Sequence, residues 1–257
     1  MRRARCRAYK INRLDHRIVA LRIRLAPEKW KYRATSKTMP IMATALIAGS
    51  TGLVGSHLLW LLCQDERYTQ VTALIRRRPV PFSHPKLTQK LTNFTDLDSN
   101  DAGLTADHVF CCLGTTIKSA GSQERFRTVD HDFCLKLAQI AKDRGARKFL
   151  IVTALGADAA SQVFYSRVKG EIERDVRALG IPEVHFFRPS LLDGNRAEKR
   201  LGEKIALAFA RPFSFLLMGR LKRYRPVRIE WVAQSMIREA VGGAPGDHIH
   251  ESESLHP

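Results

Sequence analysis

Two side chains four residues apart, Tyr165 and Lys169 in the string YSRVK, have the chemistry to move a proton. On a helix, residues at this spacing share one face. A phenol titrates near 10 in water, and a neighbouring ammonium favours the phenolate. Such a tyrosine accepts a proton from an alcohol during oxidation and returns one to a carbonyl during reduction. Thr153, twelve residues upstream of Tyr165, is expected at the end of a strand, where its hydroxyl could hold a substrate oxygen. A YxxxK string is common by chance and alone describes a helix with one aromatic and one solvated lysine. The pair gains meaning only if a cofactor site is built beside it.

The segment ATALIAGSTGLVG, residues 43–55, supplies that site. Thr44–Ala48 reads as a buried parallel strand, and Val54, Leu58, Leu59 and Leu62 trace the apolar stripe of the helix that follows. Between them Gly49 permits the tight turn, Gly52 lets a phosphate backbone approach, and Gly55 allows close packing of helix on strand. The free N–H groups and dipole of the helix start favour a pyrophosphate. The expected cofactor contacts are Gly49, Ser50, Thr51, Gly52, Leu53, Val54 and Gly55. The spacing is GxxGxxG rather than GxGxxG, and glycines also serve ordinary turns; the strand before and the helix after carry the argument.

Val71–Ile75 reads as the next strand, ending in Arg76, Arg77 and Arg78. An acidic residue here holds a ribose 2′-hydroxyl, whereas a 2′-phosphate wants a cation. Arg76 falls 21 positions after Gly55. Arg76 and Arg77 are therefore expected to contact the cofactor, which predicts NADP(H) in preference to NAD(H). A solvated basic strand end is the plainer reading, and it is preferred for Arg78.

The elements that must position these groups alternate along the chain. Leu87–Phe94 predicts a short third strand and Val109–Leu113 a fourth. The latter runs into Gly114, Thr115 and Thr116 at the carboxyl end of a central strand, where ligands bind. Leu113, Gly114, Thr115 and Thr116 are expected to line the ribose and nicotinamide, with turn chemistry as the competing explanation for the threonines. Ile117–Gln123 reads as a flexible loop hinged at Gly121. Phe133, Leu137, Ile140 and Ala141 mark a helix face, Lys148–Thr153 a fifth strand, Phe164, Val168, Ile172 and Val176 another helix, and Val184–Phe187 a sixth strand. This alternation predicts a doubly wound, mostly parallel α/β Rossmann sheet. Pro226–Ile229 reads as extended and Glu230–Ala240 as a helix. The tail from Gly242 reads as loose, and no metal site is expected from His248 or His250.

A chain of 257 residues at 44% hydrophobic content can bury one large core. No stretch reaches the roughly 18 uninterrupted apolar residues of a membrane span. The five cysteines, Cys6, Cys63, Cys111, Cys112 and Cys134, lack metal-ligand spacing and read as reduced core residues, which predicts a cytoplasmic protein. The net charge of +18 would suggest nucleic acid, but residues 1–38 hold thirteen Lys or Arg against Asp15 and Glu28. The excess therefore sits mainly in a basic N-terminal extension: a transit peptide, a basic tail, or sequence upstream of a start at Met39. The expected organisation is this extension, 1–38, followed by one NAD(P)-binding domain, 39–257, with a substrate lobe mainly in 190–245. Nucleic acid is expected, if anywhere, only at the basic head. The other partners expected are a small-molecule substrate and, at most, a second copy of the chain.

The strings AGSTGLVGSHLL, CCLGTTIKSAGS, VDHDF, VTALGAD, FYSRVKGEIE and FFRPSLLDGNR lie within residues 44–196. Through them the chain resembles the short-chain dehydrogenase/reductase superfamily, in an atypical branch that includes Tat-interacting oxidoreductase-like proteins and bacterial NAD(P)-binding proteins. The resemblance implies a Rossmann fold, NADP(H) binding, and Tyr165 with Lys169 as the catalytic pair. It also implies that FRPS, residues 187–190, passes the nicotinamide, with Pro189 shaping the turn and Ser190 contacting cofactor or substrate. In the wider superfamily a polar residue near Asp130 supports the lysine through a water; N-capping is the alternative role for Asp130. One departure stands out: Ala154 and Leu155 follow Thr153 where the superfamily places its orienting hydroxyl. That hydroxyl would then face the sheet, its role left empty or taken by Thr115. The function implied is an NADP(H)-dependent oxidoreductase acting on a carbonyl or alcohol, with a non-catalytic NADP(H)-binding redox sensor as the alternative.

Overall fold

The computed structural model describes residues 42–193 and 223–256. The basic head and the 194–222 stretch of the expected substrate lobe lie outside the described residues. Strand β1, Ala43–Ala48, is apolar on both sides apart from Thr44, because it lies between two parallel neighbours with helices above and below. These neighbours are β2, Tyr68–Ile75, and β4, His108–Cys111. The sheet adds β3 (Leu87–Leu91), β5 (Lys148–Val152), β6 (Glu183–Arg188) and β9 (Gly246–Glu251) in the order β3-β2-β1-β4-β5-β6-β9, all parallel. The order reverses between β1 and β4, which opens the ligand crevice of a doubly wound sheet at their carboxyl ends. A separate two-stranded ladder joins β7, Leu192–Asp193, to β8, Val227–Arg228.

Helices cover both faces. Helix α1, Leu53–Gln64, buries Leu58, Leu59 and Leu62, and packs on α6, Ile229–Val241. Helices α4 (Phe133–Asp143) and α5 (Phe164–Ala178) cover the opposite face. There Leu46, Val109, Phe149 and Phe186 meet Leu137, Ile140, Ile172 and Val176 in one apolar cluster. Strand alternation therefore sends Val184 and Phe186 toward α5, and Glu183, His185 and Phe187 toward α6.

Three expectations change here. The segment expected as a flexible loop is a short helix, α2, Ile117–Ala120; Thr116 caps its start by accepting from Ser119 N, and Gly121 ends it in the left-handed region. Next, the helix expected from Phe133 begins ten residues earlier. Helix α3, Gln123–Arg127, continues through a π turn, Thr128–Asp132, into α4. Finally, the tail is not loose: Gly246–Glu251 is the last strand of the sheet. Its residues GDHIHE carry little β-branched signal, so neighbouring β6 rather than local propensity decides its state.

Candidate active site

The carboxyl end of β1 turns at Gly49, whose φ of +84° suits glycine. A Cβ there would also lie 2.3 Å from Cys112 O, so the turn runs hard against the end of β4. At Gly55 a Cβ would lie 2.2 Å from Gly49 O, which is how α1 closes onto the turn. The first intrahelical bond is Ser56 N–H to Gly52 O, 3.0 Å, so the N–H groups of Leu53, Val54 and Gly55 lie ahead of it. Gly52 supplies no side-chain cap and the first turn carries no acidic residue. Ser50 Oγ is buried and, among the described residues, unpartnered. Thr51 and Gly52 stand exposed at the mouth, while Val54 and Gly55 are buried. Uncommitted donors around a helix start, with an orphaned buried hydroxyl, fit the diphosphate of a dinucleotide.

Opposite the grip, β4 leads through Leu113, which packs on the core, to Gly114. Asp130 reaches this point from the π turn. Its Oδ2 accepts from Thr115 N at 2.8 Å, and its Oδ1 lies 2.7 Å from Lys169 Nζ. Both side chains are buried, at 1% and 5% exposure, so the two charges depend on each other. Burial alone would lower the Lys169 pKa; Asp130, and after it Tyr165, outweigh burial and hold the ammonium above its ordinary range. A Cβ on Gly114 would sit 3.4 Å from Asp130 Oδ1 and 3.9 Å from Lys169 Nζ, so the strand end passes directly over the pair. Tyr165, one turn before Lys169 on α5, is half-buried with its ring 5.4 Å from that of Phe126 on α3. Asp130 is thus a direct ionic partner of Lys169, not an N-cap. π turns recur at functional sites, and this one aims Asp130 inward.

Thr153 stands elsewhere. It shares the parity of Phe149 and Ile151, so its side chain points to α5. There its hydroxyl donates to Glu173 Oε1 at 2.7 Å. Glu173, 1% exposed, is gripped by Arg188 through Nε (3.0 Å) and Nη2 (2.6 Å), and Arg188 Nη1 reaches Glu251 Oε1 at 2.8 Å. The expected orienting hydroxyl is therefore committed to a buried ionic network and turned from the cleft. Thr116 Oγ1 caps α2, and Ser190 Oγ donates to Arg225 O. Thr115 offers its backbone to Asp130. Pro189 O accepts from Leu155 N at 3.0 Å and so holds the turns after β5 and β6 together. Sequence reading missed Glu173 and Arg188. The available signal was position: Glu173 lies four residues past Lys169, beside the buried Ile172 and Val176.

Residues 49–201 match a family model described as NAD(P)H-binding. The chain belongs to this NAD(P)H-binding family. Within it the chain falls in the atypical short-chain dehydrogenase/reductase branch of fmp52 and HTATIP2-like proteins. It is 36% identical to the protein fmp52, mitochondrial, of Emericella nidulans, over 66% of this chain and 75% of that one. It is 36% identical to protein HTATIP2 of Rattus norvegicus, over 65% and 69%. Among solved structures, MoeE5 in complex with UDP-glucose and NAD superposes with a TM-score of 0.60 at 16% identity, over 80% of this chain and 74% of that one.

Two expectations are corrected by these relatives. Several similar solved structures, MoeE5 and the UDP-glucuronic acid 4-epimerase of Bacillus cereus among them, are complexes with NAD, which overturns the NADP(H) preference and the NADP-dependent activity built on it. Arg76 and Arg77 are exposed beyond the end of β2, as a solvated strand end would be. The fungal relatives are named as mitochondrial proteins, which overturns the cytoplasmic location. Among the described residues no helix is long and apolar enough to cross a membrane.

Proposed function

We propose that this chain is an NAD(H)-dependent oxidoreductase acting on a small carbonyl or alcohol. The observation that carries the reading is the buried Asp130–Lys169 pair under Gly114, with Tyr165 one helical turn away. The fit rests on the uncommitted N–H groups of Leu53, Val54 and Gly55, and on the orphaned Ser50 hydroxyl. These groups would hold the diphosphate, and Gly114 would face the nicotinamide ribose. NAD(H), when bound, supplies hydride donation or acceptance. The chain's own part is proton handling. Asp130 fixes Lys169 and keeps it charged, Lys169 presents its ammonium one helical turn from Tyr165, and Tyr165 Oη gives or takes the proton at the substrate oxygen.

The test is a fluorescence titration with NADH followed by turnover over a panel of carbonyls and alcohols. We expect micromolar NADH binding, weaker NADPH binding, and a loss of about 10²–10⁴ in kcat for Tyr165→Phe with NADH affinity unchanged. Absence of NADH binding overturns the reading, as does a Tyr165→Phe variant with full turnover. A second reading, a non-catalytic NAD(H)-binding sensor, is favoured by the Thr153 hydroxyl being turned onto Glu173. NADH binding without turnover on any panel member would select it.

A further inference from the structure

The face of the sheet under α6 carries a polar cluster that the hydride-transfer reading does not use. His185 lies mid-strand in β6, directly across from His248 of β9, with His250 two residues further on. The His185 ring stacks between them, 4.8 Å from the His248 centroid and 5.2 Å from that of His250. His185 Nε2 is 2.8 Å from Glu183 Oε1, which also accepts from Lys148 Nζ at 2.7 Å. A carboxylate only accepts, so neutral His185 carries its proton on Nε2 and turns the Nδ1 lone pair outward. That lone pair meets His250 Nε2 at 2.9 Å. Glu239, from the last turn of α6, places a carboxylate oxygen within 4.8 Å of a ring nitrogen of His185 and of a ring nitrogen of His250.

We propose that His185 Nδ1, His250 Nε2 and the Glu239 carboxylate form a binding site for a divalent cation of the zinc class. Two imidazoles and one carboxylate, from three separate elements, are a ligand set for zinc or cobalt rather than calcium or magnesium. The Glu183–His185 bond is the outer-shell contact that fixes a ligating imidazole's tautomer, and Lys148 fixes Glu183 in turn. Two nitrogens on one tetrahedral zinc stand about 3.3 Å apart, so the present 2.9 Å gap must open by about 0.4 Å. His250 lies on an edge strand and is only half-buried, which permits that movement. Binding exchanges one neighbour for another: the His250 proton moves through solvent from Nε2 to Nδ1, and the cation takes its place beside His185. Glu239 gives up its contact with exposed Arg238. The alternative grouping through His248 is disfavoured because it needs Glu183 as a ligand, and Glu183 Oε1 already accepts from Lys148 and His185. A cavity bordered by Lys148, Glu183, Ala240 and Gly243 opens beside the cluster and gives a route in.

Tag-free full-length protein, freed of metal by chelation and dialysis, is titrated with zinc chloride and with cobalt chloride. We expect one ion per chain, a visible cobalt band of tetrahedral strength, a rise in Tm, and no response to calcium or magnesium. His250→Ala and Glu239→Gln, at half-buried positions, should each weaken zinc affinity at least tenfold, while His248→Ala retains it. Circular dichroism confirms the folding of each variant, and the conservative Glu239→Gln keeps the test decisive if His250→Ala unfolds. Absence of zinc binding overturns the proposal. So does binding that survives unchanged in Glu239→Gln, which would place the ion elsewhere.

Discussion

The nucleotide half of the sheet and the half that follows it solve burial in opposite ways. Strands β1, β2 and β4 bury mainly apolar side chains, and the turns at their ends shape the cleft with glycines that bring backbone against backbone. Strands β5, β6 and β9 instead bury charge: Glu173 with Arg188, and Glu183 with Lys148. In the first half, function is donors that have no protein partner among the described residues. In the second, nearly every polar side chain is already spoken for. The difference teaches that a hydroxyl at a familiar chain position is not a catalytic group until its partner is known, as Thr153 shows.

The contrast is open to attack at both ends. The largest effect is expected for Gly55→Val, which drives a side chain into Gly49 O and leaves nowhere for the helix to go. We expect loss of folded protein, or about 4 kcal/mol or more of stability, together with loss of NADH binding, read by urea melts and titration. Glu173→Ala should cost about 4 kcal/mol, because it strands the Arg188 guanidinium in a buried network. NADH affinity of the folded fraction should stay within twofold; a tenfold loss would show that the two halves are energetically one.

A smaller effect concerns pH. Burial, with Lys148 and Arg147 nearby, holds His108 at a pKa of about 4, against an ordinary 6.5. The unfolded chain therefore takes up a proton that the folded chain refuses between these values. Stability should be level above pH 6.5 and fall as pH drops toward 4, by at most about 3 kcal/mol. Replacing His108 with Gln should remove its share of that slope in urea melts at pH 4.5 and 7, and an unchanged slope would discard the assignment. The smallest effect is expected for Ser190→Ala, about 1 kcal/mol of stability from one lost hydrogen bond. A large loss of NADH affinity there would restore Ser190 as a ligand contact.

What could be read from sequence divides along the same line. Gly49 and Gly55 were legible because their requirement is local: a strand, a turn and a helix within thirteen residues. Tyr165 and Lys169 were legible as a helical pair, since four-residue spacing fixes a shared face. The partner of Lys169 was only half legible. Asp130 lies 39 residues away, and a π turn is needed to aim it. The fate of Thr153 was half legible: Ala154 and Leu155 after it pointed its hydroxyl toward the sheet, but the carboxylate waiting on α5 is a long-range fact. Strand β9 escaped for the same reason: its pairing lies with β6, some sixty residues earlier.

The π turn has one more consequence. Holding a surplus residue, it shifts the helix downstream by about 100° relative to the helix upstream. Phe126 can therefore face Tyr165 while Leu137 and Ile140 still face the sheet. The length of the segment 128–132, as much as its composition, is part of the site. Removing any one residue there other than Asp130 would re-phase α4 against the sheet and swing Asp130 off Lys169, although every side chain named in the cleft would still be present.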